Sequence, residues 1–389
     1  MAVETSDTPA TGRLLIHNIG LLLTGDLDRP LADSDCLLIE DGTIAGFTDT
    51  DADTRIDARG CAVAPGLIDS HCHPVFGDWT PRQSQLGWIE MNVNGGVTSF
   101  LSAGEVHLPG RPKDAAGVQA LAMLAQRCFA NFRPAGAKVI AGAPVPELDF
   151  DRDFYAALKT AGIRHIGEIG LGTVAKGPDA ARVTGWCRDL GIETIMHTGG
   201  PSIAGSHHVT ADDVLDAQPD VVSHINGGPT SIPYDAIRRL CQDAQGALEV
   251  VHNGNEKSAL VALEAAQAAG RLADFLIGTD APAGSGVQPN GMLRMVTLLA
   301  SLGGLPPDQA WCCASGNVAR KRGLQQGIIA VGRPADLVFM DRPGGSEGET
   351  VLDAMAMGNI PGIAAVMIDG KMRTGRSRST PPAARVPAM

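Results

Sequence analysis

From about residue 65 to residue 324 the chain alternates short, nearly continuous apolar runs with longer helix-compatible stretches. The runs are LIDSHCH, TSFLSAG, KVIAGAPV, HIGEIGL, ETIMHTG, VVSHING, LEVVHNG and FLIGTDA. Stretches such as DAAGVQALAMLAQRCFANF and EKSALVALEAAQAAG lie between them. A strand that is apolar on both sides must be covered on both sides, which points to parallel pairing under a helical layer. Eight such units predict a (β/α)8 barrel rather than an open doubly wound sheet. No GxGxxG opens the first unit, so a dinucleotide-binding fold has little support.

The two ends read differently. LLIHNIGLLLTG, DCLLIEDGTIAGF and TRIDARGCAVAP are β-rich and broken by DG, RG and PG turn signals, and ADLVFMD and IAAVMIDGKMRTG repeat the pattern at the far end. The expected organisation is a small β-sandwich built from both ends, residues 1–64 with 325–389, and a barrel over 65–324 inserted between them.

Composition excludes several function classes. The net charge is −12 and no basic run occurs, which argues against nucleic acid. No apolar stretch of about 18 residues is present to span a membrane, and MAVETSDTPATG is not a secretory signal. The eight cysteines form no CxxC pair and read as reduced, mostly buried thiols. A cytoplasmic protein is expected.

A barrel presents its functional side chains at the C-terminal ends of its strands. There the first strand carries His71-Cys72-His73, the fourth Glu168, the fifth His197, the sixth His224 and the eighth Asp280. Residues two apart on a strand share a face, so His71 and His73 can face one ion while Cys72 points away. His197 and His224 can grip a second ion, with Glu168 bridging and Asp280 closing the ring beside the first strand. Imidazole and carboxylate without thiolate suit Zn, Fe, Mn or Co. His17, His107, His165, His207 and His208 read mostly as structural residues. Lys159 and Lys176 fall outside HIGEIGL, so no lysine is placed to bridge as a carbamate.

These residues resemble the amidohydrolase superfamily over essentially the whole chain. VAPGLIDSHCH matches its PGLIDxHxH signature, followed by His197, His224, Asp280 and the closing segment Gly327–Asp341. Within the superfamily, GEIGLGT, MHTGG, VTADDV and DVVSHINGGPT are similar to the enamidase branch, hydrolases of cyclic enamides. That resemblance implies a glutamate bridge at Glu168, two divalent ions (Zn with Zn or Fe) and a homotetramer. The seventh strand ends VVHNGNE and departs from the branch, placing His252 and Asn253 where substrate contacts lie in the superfamily.

The expected activity is hydrolysis of a cyclic amide or enamide C–N bond by hydroxide from metal-activated water, with Asp280 as proton shuttle. Arg82, Arg111 and Lys113, in loops after the first two strands, are candidates to hold a substrate carboxylate. A lactamase-, imidase- or hydantoinase-like enzyme on another ring shares every motif. A mononuclear deaminase would carry HxxE, which His197-Thr-Gly-Gly and His224-Ile-Asn-Gly lack. A non-catalytic barrel would be expected to lose ligands, and all six are present.

Overall fold

A computed structural model describes residues 9–74, 85–105, 110–201, 206–227, 230–282 and 288–388. Before Gly66 the chain forms β1 (Arg13–His17), β2 (Leu21–Leu23), β3 (Leu31–Ala32), β4 (Leu37–Glu40), β5 (Thr43–Gly46), β6 (Thr54–Asp57) and β7 (Ala62–Pro65). The middle contributes β8 (Leu67–Cys72), β9 (Val97–Ser102), β10 (Lys138–Ile140), β11 (His165–Ile169), β12 (Glu193–Met196), β13 (Val221–Val222), β14 (Ala247–Val251) and β15 (Phe275–Gly278). The far end adds β16 (Leu337–Asp341), β17 (Gly362–Ile368) and β18 (Lys371–Thr374).

The two ends meet in space. One sheet runs β5-β4-β1-β6 and the other β18-β17-β16-β7-β2-β3, so β7 from the front of the chain pairs with β16 from the back. The period-2 alternation of a strand explains why Leu337–Met340 of β16 are all apolar. Leu337 and Phe339 join Ile16, Ile39 and Ile56 in a core shared by the two sheets. Val338 and Met340, on the other face, join the large core of the middle region.

All eight expected middle strands are present among the described residues, parallel and in chain order. Their ladder falls into β10-β9-β8 and β11-β12-β13-β14-β15 rather than one closed ring. Backbone bonds outside the ladders join the two sheets. Asp280 N donates to His71 O at 2.8 Å and His73 N to Ala281 O at 2.9 Å; across the other seam Glu168 N donates to Ala103 O at 3.0 Å. The third and sixth strands are shorter than KVIAGAPV and VVSHING suggest. Gly142 has φ +86° and His224 φ +29°, and neither conformation continues a strand.

The helices start where their caps dictate. Asp114 accepts from Gly117 N to open Ala115–Asn131, and Asn255 accepts from Ser258 N to open Glu256–Ala268. All eight thiols are free and seven are buried. No helix among the described residues is long and apolar enough to cross a membrane.

A buried charge network ties the end sheets to β10. Lys138 Nζ lies 2.6 Å from Asp336 and 2.7 Å from Asp369, and Arg133 reaches Asp369 at 2.8 Å. Burial pushes the Asp336 carboxyl up, with Lys138 opposing that shift. Removing the cation leaves an uncompensated buried carboxylate. Lys138→Met is therefore expected to lose about 3–5 kcal/mol in urea denaturation. A loss below about 1 kcal/mol would class the network with surface pairs.

Candidate metal centre

The six strand-end residues converge. On β8, His71 and His73 point to the same side, while Cys72 turns away and lies 3.2 Å from Leu101 O. β15 packs against β8 closely enough to require glycine. A β-carbon on Gly278 would lie 2.7 Å from the His71 β-carbon and 2.9 Å from its nitrogen. The chain then turns through Asp280 at φ +56°, a left-handed conformation that, glycine aside, a short polar side chain tolerates best. Asn253 Nδ2 donates to Asp280 O at 2.7 Å and holds that turn.

Glu168, buried on β11, divides its carboxylate between two pairs of imidazoles. Oε2 lies 3.6 Å from His71 Nε2 and 3.8 Å from His73 Nε2. Oε1 lies 2.8 Å from His224 Nε2 and 3.9 Å from His197 Nδ1. Asp280 Oδ1 lies 3.0 Å from His73 Nε2 and 3.6 Å from His71 Nε2. Three groups place one ligand atom per residue within 4.8 Å of one another: His71, His73 and Glu168; Glu168, His197 and His224; and His71, His224 and Asp280.

The outward nitrogen of three of the rings is already fixed. His73 Nδ1 donates to Gly104 O at 2.9 Å and His197 Nε2 to Gly200 O at 3.0 Å. His71 Nδ1 lies 2.8 Å from Glu249 Oε1 and 2.7 Å from Ser223 Oγ. Such outer contacts set the tautomer and aim the inward nitrogen at a metal. Burial lowers His197 to about 4, with His224 adding to the effect, so its ring is neutral with a free lone pair. Burial would raise Glu168, but His71 and His224 hold it well below the usual carboxylate range.

These donors fit divalent cations. His71 Nε2 is buried and makes no hydrogen bond, an arrangement that costs energy unless something else engages it. His197 Nδ1 and His224 Nε2 converge to 3.1 Å. The donor set, imidazole and carboxylate without thiolate, is one that zinc and iron accept.

The candidate substrate contacts are dispersed. Arg111 lies 3.5 Å from Glu147, whose other oxygen accepts from Thr173 N and Oγ1. Lys113 is exposed. His252 lines a cavity of about 260 Å³ with Glu256 and Arg294, which contains none of the six convergent residues. Arg82 and His107 lie outside the described residues. His165 is buried and donates to Ser102 O at 2.8 Å, as a structural histidine does. His17 is partly exposed and His208 exposed, and the His207 backbone N donates to Gly170 O at 3.1 Å.

Glu249 escapes a reading confined to strand ends, because it lies mid-strand in β14. Its signal is a lone charge in the apolar run ALEVV. Ser70 Oγ donates to its Oε2 at 2.5 Å and Ser223 Oγ to its Oε1 at 3.0 Å, so the anion is solvated by hydroxyls as well as by His71. Burial would raise Glu249, but His71 holds it low. Glu249→Gln should weaken metal binding about 10–100-fold in chelator competition while leaving the circular dichroism spectrum unchanged. Unchanged metal affinity would make Glu249 a packing residue only.

Comparison with known proteins agrees with this geometry. Residues 62–373 match the Amidohydrolase family. The chain is 44% identical over 379 residues to the enamidase of Eubacterium barkeri, covering 96% of this chain and 98% of that protein. It is 26% identical over 364 residues to the imidazolonepropionase of Deinococcus deserti, covering 79% of this chain and 86% of that one. A crystal structure of enamidase superposes with a TM-score of 0.93 at 43% identity, covering 97% of this chain and 99% of that one. The eight parallel strands are thus those of a TIM barrel, and this chain belongs to the amidohydrolase family.

Proposed function

We propose that this chain is a binuclear metal-dependent hydrolase that opens a cyclic amide, with a cyclic enamide as its substrate. The observation that carries the reading is the position of Glu168, whose two oxygens face two separate imidazole pairs. His71 and His73, with Glu168 Oε2 and Asp280, would hold one ion. His197 and His224, with Glu168 Oε1, would hold the other. Bound divalent ions supply activated water at neutral pH and polarise the amide carbonyl.

Asp280 is placed to handle the proton. Burial would raise its carboxyl, and neighbouring positive charge keeps it ionised: His73 and His71 lower it in this structure, and a bound cation would act in the same direction. It accepts the proton of the water that attacks the carbonyl carbon and returns it to the ring nitrogen as the C–N bond breaks. Ring opening of an enamide leaves an enamine, which water converts to an aldehyde with release of ammonia. The left-handed turn and the Asn253 contact fix the carboxylate for both transfers. To hold a substrate carboxylate, Arg111 would have to exchange Glu147 for the ligand; Arg82, Lys113 and His252 are further candidates for that contact.

The likeness to enamidase supports zinc, paired with zinc or iron, and a cytoplasmic homotetramer. It also supports a small domain made by residues 1–64 and 325–389. The likeness to an imidazolonepropionase favours a second reading, the same chemistry on a five-membered ring.

The test is turnover of the metal-loaded protein on a carboxylated six-membered enamide, an imidazolone, a hydantoin and a simple lactam. Ammonia release from the enamide is expected, and a preference for the imidazolone would favour the second reading. Asp280→Asn, at full metal occupancy by elemental analysis, should lose about 10²–10⁴-fold in kcat. A loss of less than about tenfold would move the proton transfer to another residue.

A further inference from the structure

A second polar site lies at the opposite end of the parallel strands from Asp280. A cavity of about 520 Å³ opens where β11, β12 and β13 begin, lined there by His165, Glu193 and Asp220. That volume is in the range of pockets for small organic molecules, about 300–1,000 Å³. Five lining side chains are cationic, Lys159, Arg164, Arg188, Lys321 and Arg322, against the two carboxylates. Five minus two leaves an excess of +3, in a chain whose net charge is −12.

Pairing does not cancel this excess. Lys321 pairs with Asp274, and Arg322 lies 2.7 Å from Glu193. The other three cations reach only backbone carbonyls among the described residues. Lys159 donates to Gly191 O at 2.7 Å, Arg188 to Gln218 O at 3.0 Å, and Arg164 to Arg322 O and Gly323 O at 3.5 Å each. Asp220 is occupied by Thr194, whose N and Oγ1 donate to it at 2.8 and 2.7 Å.

Cations in the last turn of a helix are common because they complement its dipole, and Lys159, Arg188 and Lys321 hold such positions. That explanation does not reach Arg164, in the loop before β11. Arg322 caps the helix Gly316–Lys321, but its side chain is fully buried and reaches Ser70 and Glu193. Arg322 Nη1 donates to Ser70 O at 3.1 Å, while Nη2 is buried with no acceptor. A fully buried guanidinium behind the wall of a cationic cavity adds fixed positive charge, which favours an oxyanion there.

We propose that this cavity binds a small, multiply charged organic oxyanion, a phosphate ester or a polycarboxylate, distinct from the substrate of the metal centre. Arg322 supplies fixed buried charge, and the exposed Lys159, Arg164 and Arg188 supply the cations at the rim that would contact the anion. The site is set on the strand that bears the first metal ligands, because Arg322 holds Ser70, the neighbour of His71.

The test is calorimetric titration of the metal-loaded protein with inorganic phosphate in one arm and succinate in the other. One saturable site is expected, with Kd at or below about 1 mM for the better ligand and weaker binding as salt rises. The arm that saturates names the class. Arg164→Gln with Arg188→Gln should weaken binding at least about tenfold, whereas Arg239→Gln, in an exposed pair with Asp212, should not change it. If the double variant fails to fold, Lys159→Gln, exposed at the rim, carries the same expectation. No saturation in either arm would overturn the proposal. So would equal binding by wild type and variant, which would put the anion on the metal ions.

Discussion

A carboxylate buried among four imidazoles is the interaction on which this molecule turns. Glu168 is 1% exposed, and placing its charge there would be costly without close compensation. Each oxygen has its own pair of rings, and the rings in turn are held from outside by carbonyls, hydroxyls and a second buried carboxylate, Glu249. The His71, His73 and His197 imidazoles that face Glu168 are therefore held in place by a surrounding layer of hydrogen bonds.

The rest of the fold makes that convergence possible. Parallel strands deliver their C-terminal ends to one side, and the seam between β15 and β8 brings Asp280 beside His71 and His73. Gly278 permits the close approach, and the left-handed turn after it re-aims the chain inward. Far from the centre, the Lys138–Asp336–Asp369 network and the two-faced strand β16 anchor the end sheets to the same core.

Much of this was readable in the sequence, because strand-end positions follow directly from apolar runs of known period. His71 and His73 share a face for that reason, and the six convergent residues all lie where the alternation puts strand ends. Glu249 was hidden because it sits mid-strand, where a charge usually weakens a strand assignment rather than marking a site. The lengths of β10 and β13 were overestimated, since Gly142 and the turn at His224 end pairing without interrupting the apolar pattern. The pairing of Arg111 with Glu147, and of Lys138 with Asp336 and Asp369, joins residues distant in sequence with no local pattern to announce them.

Anomalous diffraction from crystals of the metal-loaded protein tests the central claim most directly. Two metal peaks are expected, with one oxygen of Glu168 about 2.0–2.2 Å from each. A single peak, two peaks with Glu168 bound to neither, or a modified lysine between the ions would contradict the account.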